Sequence, residues 1–168
     1  MDKKQKGLNL GGVLRRLPDG VAFINGAEGY SQINGTVRFY QTENGVLVVA
    51  GVLGLPLSDG RCGNDIFAFH IHGGAACTGT AADPFADAGM HYDVSDCPHP
   101  YHSGDMPPLF SAGGTAFLAF LTDRFTVREL IGKTVIIHDM PDDFTTQPSG
   151  NAGKKIACGE IVGVKRAR

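Results

Sequence analysis

His70, His72, His91, His99, His102 and His138 are the chain's six histidines, and Asp105 stands three residues after His102. These are the residue types of a metal site. Neutral imidazole suits copper and zinc, and one carboxylate among imidazoles suits zinc. Seven such groups can hold two ions if one ligand is shared. His70-Ile71-His72 ends an apolar run, and on a strand residues i and i+2 project from the same face. The two imidazoles then converge while Phe69 and Ile71 face the opposite, buried side. A lone pair of this kind is more often an exposed strand feature; five further ligand types downstream reverse that reading. His91, His99, His102 and Asp105 fall within 15 residues and would make a closed four-coordinate zinc site. Pro98 and Pro100 flank His99 and hold it in extended chain. His138 ends the run Thr134-Val135-Ile136-Ile137. With His70, His72 and one side of His91, it completes an imidazole set suited to copper. His91 would bridge the two metals through both ring nitrogens.

Short strands must position these groups, because helical periodicity is scarce and Gly is abundant, at 24 residues. After a flexible tail over residues 1–18, one domain is expected over 19–168. Val21–Ile24 reads as a strand, Asn25–Gly29 as a turn, and Tyr30–Thr42 as a second strand. Asn44-Gly45 is a hairpin signal for a type I′ turn, leading into Val46–Leu53. A single strand is expected over Ile66–His72. About 40 residues rich in Gly, Pro and Asp follow; loops of that length are usually functional or disordered. Four of the seven candidate ligands lie there. Strands return at Thr115–Leu121, Lys133–His138 and Lys155–Val164, with a helical turn over Phe125–Ile131. Seven or eight such strands indicate an all-β antiparallel sandwich or barrel.

The net charge of −2 leaves no footprint for nucleic acid or an acidic membrane surface. The basic clusters, Lys3-Lys4 with Lys6 and Lys165-Arg166 with Arg168, read as solvated tails. There is no apolar run of spanning length and no apolar core after Met1–Gly7. The chain as given is expected to be soluble and cytoplasmic, exported only if a signal has been removed. Cys62, Cys77, Cys97 and Cys158 lack the CxxC spacing of a zinc ribbon or thioredoxin-type site. Composition alone leaves them reduced or bridged.

Phe69-His70-Ile71-His72, Ala88-Gly89-Met90-His91, His102-Ser103-Gly104-Asp105, Val135-Ile136-Ile137-His138 and Gly150–Gly159 together resemble the copper/zinc superoxide dismutase family. They occur in the family's order, and the resemblance runs from about Val21 to Val164. It implies a Greek-key β-sandwich or barrel with long metal-binding loops. It implies copper at His70, His72, His91 and His138, and zinc at His91, His99, His102 and Asp105. Asp142 resembles the carboxylate that hydrogen-bonds ligands of both metals, and Cys77 with Cys158 the intrasubunit disulfide. Closing about 80 residues would stabilise by roughly 4 kcal/mol on a chain-entropy basis. Cys62 and Cys97 receive no role.

The resemblance implies dismutation of superoxide to dioxygen and hydrogen peroxide, with His91 as a proton donor, and it allows a homodimer. Lys155 occupies the position of the family's active-site arginine, so it would attract the anion without the planar two-bond fork. The step from His99 to His102 is shorter than usual, and Asp143–Ser149 carries little charge. These departures support the alternative, a non-catalytic copper- and zinc-buffering protein of the same fold.

Overall fold

The computed structural model describes residues 7–58, 60 and 62–165. The basic residues Lys3, Lys4, Lys6, Arg166 and Arg168 lie outside the described residues. Among those described, nine antiparallel strands form one sheet: β1 (Gly20–Gly26), β2 (Asn34–Thr42), β3 (Gly45–Leu53), β4 (Ile66–Phe67), β5 (Phe69–His72), β6 (Leu109–Ala112), β7 (Thr115–Thr122), β8 (Thr134–His138) and β9 (Lys155–Gly163). Their spatial order is β4-β6-β7-β3-β2-β1-β9-β8-β5. The two ends of that order, β4 and β5, are joined by Ala68 alone, so the sheet curls into a nearly closed barrel. This is the all-β architecture expected from the alternating runs. No described helix is long and apolar enough to cross a membrane.

Alternation along the strands builds the core. Ala22 and Ile24 of β1, Val37 and Phe39 of β2, and Val46, Val48, Ala50 and Val52 of β3 are buried on the inner face. Phe69 and Ile71 of β5 join them, fully buried against Val135 and Ile137 of β8 in the same cluster. Each such Val, Ile or Phe side chain contributes about 1.5–3 kcal/mol by burial. That anchoring fixes the pleat of β5, and the pleat turns His70 and His72 to the other face.

Several boundaries differ from expectation. Ile66–His72 is two strands: β4 pairs with β6, β5 with β8, and the chain turns a corner at Ala68. Ala68 N–H donates to Met140 O at 2.8 Å, and its carbonyl accepts from His138 N–H at 2.9 Å. Because nearly every residue here is buried, no break in hydropathy marks the corner. Tyr30–Ile33 is a turn rather than strand, closed by Ile33 N–H on Tyr30 O. The hairpin after β2 falls one residue early: Thr42 pairs with Gly45, so Glu43 and Asn44 form the turn. Gly45 takes the positive φ, 122°, a place where glycine is at home. β6 lies in the segment read as loop, with only Leu109 buried to signal it.

In the N-terminal segment read as a flexible tail, Leu10–Leu14 forms the short helix α1, capped by Asn9 accepting from Gly12 N–H. The expected helical turn is α2 (Val127–Leu130), closed by a Thr126–Glu129 capping box.

Candidate metal centre

The seven candidate ligands meet against β5, on the face turned away from Phe69 and Ile71. β5 and β8 are paired, His70 opposite Ile136 and His72 opposite Thr134, which brings His138 beside the β5 pair. On the other edge of β5 the long loop folds back as irregular strand. Tyr92 N–H donates to Ile71 O at 2.8 Å, and Ile71 N–H to Gly104 O at 2.9 Å. Isolated bridges set His72 against His91 and His70 against Asp105. The loop therefore satisfies the edge of β5 and delivers His91 and Asp105 in the same act.

Two groups result. Donor atoms of His70, His72, His91 and His138 lie within 4.8 Å of one another, and so do those of His91, His99, His102 and Asp105. His91 belongs to both; its ring centroid is 4.0 Å from His70, 4.9 Å from His72, 5.7 Å from His99 and 5.4 Å from His102.

The hydrogen bonds sort the ring nitrogens into those with a partner and those without. His70 Nε2–H donates to Asp142 Oδ2 at 2.8 Å, and His99 Nε2–H to Asp142 Oδ1 at 2.9 Å. Gly89 O holds His72 Nδ1 at 2.7 Å, and Gly153 O lies 3.4 Å from His138 Nδ1. The opposite nitrogens are buried with no hydrogen-bond partner: His70 Nδ1, His72 Nε2, His91 Nε2, His99 Nδ1, His102 Nδ1 and His138 Nε2. One orphaned buried nitrogen costs about 1–3 kcal/mol. Six converging on two points are a donor set. Asp105 Oδ2 lies 3.1 Å from His99 Nδ1 and 3.2 Å from His102 Nδ1, close without hydrogen-bond alignment. All-imidazole donors on one side, and three imidazoles with a carboxylate on the other, fit copper and zinc respectively.

Electrostatics prepare the same arrangement. Burial holds His72 neutral, its pKa pushed down to about 2, and His138 likewise, to about 3. Burial also lowers His70, against the opposing pull of Asp142. Desolvation alone would raise the Asp105 carboxyl. The hydrogen bond from His91 and the charges of His91, His99 and His102 outweigh it and bring it to about 2. Neutral His70, His72 and His138 and an ionised Asp105 are the protonation states that ligation by those groups requires.

Asp142 contacts one ring of each group, His70 and His99. Cys77 and Cys158 form a disulfide, with Cα atoms 5.7 Å apart, while Cys62 and Cys97 are free thiols. Lys155 opens β9 opposite His138. Its ammonium is not free: Nζ is 2.8 Å from Asp83 Oδ2 and 3.0 Å from Phe85 O.

Sequence reasoning did not single out Asp83, Gln147 or Arg124. Gln147 clasps His99, accepting from its N–H at 3.0 Å and donating to its carbonyl at 2.7 Å. Gly150 is a further requirement, at φ 69°, where a Cβ would run into the Asp142 carboxylate and the His99 ring. Its place at the head of Gly150-Asn151-Ala152-Gly153 is the one sequence signal among these.

Comparison with known proteins agrees with this geometry. Residues 33–161 match the family described as copper/zinc superoxide dismutase (SODC). The chain is 32% identical over 143 residues to "Superoxide dismutase [Cu-Zn] 2" of Aquifex aeolicus, covering 77% of this chain and 80% of that protein. It is 30% identical over 148 residues to "Superoxide dismutase [Cu-Zn] A" of Xenopus laevis, covering 79% and 91%. To the "Superoxide dismutase [Cu-Zn]" of Photobacterium leiognathi it is 33% identical over 141 residues, covering 76% and 78%.

Proposed function

Because the chain belongs to the copper/zinc superoxide dismutase family, we propose that it dismutates superoxide, with copper among His70, His72, His91 and His138. Zinc would occupy the group of His91, His99, His102 and Asp105. The observation that carries this reading is the set of six orphaned imidazole nitrogens, sorted into two groups that share His91. When bound, copper supplies a one-electron couple, so that one superoxide is oxidised to dioxygen and a second, with that electron and two protons, becomes hydrogen peroxide.

The chain's own residues would do the rest. His91 presents Nε2 to the three other copper-group imidazoles while Nδ1 faces Asp105 at 2.7 Å. When Nε2 is not engaged by a metal, a proton held there can be handed to the reduced substrate while Nδ1 stays against Asp105. His99, His102 and Asp105 close the second group with no open position, which is the pattern of a structural zinc site. Asp142 fixes His70 and His99 by accepting their Nε2 protons, so Nδ1 stays bare on both rings.

Lys155 would draw the anion inward. Its charge reaches His138, where it helps keep that ring neutral. The pairing with Asp83 cancels part of the long-range pull, and this favours a slower enzyme or, at the limit, a protein that holds metal without turnover.

The test is metal analysis of purified protein, loading with copper and zinc, and pulse radiolysis. A second-order decay of superoxide catalysed in proportion to bound copper is expected. Stoichiometric copper with no turnover would replace the dismutase reading by metal buffering.

A further inference from the structure

Three backbone carbonyls of the loop that carries the second ligand group converge on one side-chain nitrogen. Arg124 Nη1 donates to Pro100 O at 3.1 Å, His102 O at 3.3 Å and Asp105 O at 3.2 Å. Two of these carbonyls belong to proposed zinc ligands, and the third follows His99 directly. We propose that Arg124 is a positioning residue for the zinc group, the tie that holds a shortened loop in ligating register.

The rest of the loop shows why a tie is needed. Only Pro100 and Tyr101 separate His99 from His102, and Pro98 precedes them, so local strand or helix hydrogen bonding cannot set their spacing. Inside the loop, His102 N–H donates to Asp105 Oδ2 at 3.0 Å and Tyr101 N–H to Pro98 O at 2.8 Å. Those bonds shape the turn; Ile71 N–H on Gly104 O ties its Asp105 end to β5, which leaves the stretch 100–102 without a strand bond of its own. Gln147 clasps His99 from the segment after β8, and Arg124 clasps His102 and Asp105 from the segment after β7. Arg124 stands on firm ground, between the end of β7 and the capping box of α2, with its N–H on Thr122 Oγ1 at 3.3 Å.

A guanidinium suits this task. It is always charged, the two N–H groups of its Nη1 are shared among the three carbonyls, and carbonyl groups pointing together repel unless a cation sits among them. While these carbonyls face Arg124, the His102 and Asp105 side chains lie against His91 and His99.

This inference rests on the reading of His91, His99, His102 and Asp105 as zinc donors. The experiment compares the full chain with Arg124→Gln and Arg124→Lys. Zinc affinity is measured by competition with a chelator of known strength, and the ligand field by the visible spectrum of cobalt(II) placed in the same group. Arg124→Gln is expected to lower zinc affinity 10- to 100-fold and to broaden or weaken the tetrahedral cobalt spectrum. Arg124→Lys should recover part of both, and copper affinity at the other group should change less than threefold.

Unchanged zinc affinity in Arg124→Gln overturns the inference and leaves the donor assignment standing. Copper and zinc affinities falling together, in step with the melting temperature of the metal-free protein, would show general loosening and overturn it too. Failure of the unsubstituted chain to take up zinc or cobalt would overturn the donor assignment itself, and this inference with it.

Discussion

Replacing Asp142 by asparagine tests the logic of the centre more sharply than removing a ligand. The carboxylate accepts three hydrogen bonds, from His70 Nε2 on Oδ2 and from His99 Nε2 and Phe144 N–H on Oδ1 at 2.7–2.9 Å. It is 6% exposed, so water cannot substitute for a lost partner. Its pKa shows the same balance: burial raises it, and the bonds from His70, Phe144 and His99 together more than reverse that. An asparagine has one acceptor oxygen and one donating amide. Whichever way it is turned, the amide meets an imidazole Nε2 that already carries a proton. That ring must move its proton to Nδ1, the atom that should face a metal.

A charge-assisted bond of this kind is worth about 1.5–3 kcal/mol, and a lost supporting contact costs a metal site about 10–100-fold in affinity. Asp142→Asn should therefore weaken at least one metal group by about 10–100-fold with the fold intact. Two measurements report it. Chelator competition gives each affinity, and long-range proton–nitrogen spectra of the imidazoles in the metal-free protein show which nitrogen holds the proton. Both affinities within threefold of the parent, with unchanged tautomers at His70 and His99, would refute the reasoning.

Three other outcomes follow from the structure. Asp83→Asn should free the Lys155 charge; a unit charge at about 10 Å in water is worth roughly 0.4 kcal/mol, so the rate constant should rise roughly twofold at low salt. The gain should fade as salt screens it, and no gain at low ionic strength would remove Lys155 from a steering role. Breaking the Cys77–Cys158 disulfide by Cys77→Ala opens a link of sequence separation 81 and should cost about 4 kcal/mol in denaturant unfolding. A loss under 1 kcal/mol would mean the bridge adds little to what the strands already hold.

In the metal-free protein, His72 and His138 have folded pKa values of about 2 and about 3, below the ordinary 6.5. The unfolded chain therefore binds protons first as pH falls below 6.5, and stability is lost from there down to about 3. Each ring should cost about 1.4 kcal/mol per pH unit in that window. Denaturation midpoints that stay flat between pH 7 and pH 5 would contradict the buried, neutral state.

Much of the centre was legible because two kinds of regularity expose it. Strand alternation placed His70 and His72 on one face, and the buried Phe69 and Ile71 hold them there. The crowding of His91, His99, His102 and Asp105 into one Gly- and Pro-rich loop marked a shared purpose. Asp142 was different: in Pro141-Asp142-Asp143 it looks like any turn residue, and only the family resemblance distinguished it. The corner at Ala68 left no trace, since burial on both sides erases the alternation that would show a change of partner strand. Arg124 and Gln147 were invisible for another reason. Their acceptors are backbone carbonyls, which every residue carries and no sequence displays. Asp83 and Lys155 are 72 residues apart, and nothing local couples them.

His91 and Asp142 each serve both ligand groups, and this makes the two sites one thermodynamic object. Filling either group fixes a ring or a carboxylate that the other also uses. By linkage, the factor by which zinc changes the affinity for copper must equal the factor by which copper changes the affinity for zinc. The order in which the ions arrive alters the route and its rate, while the free energy of the doubly loaded protein is the same by either path.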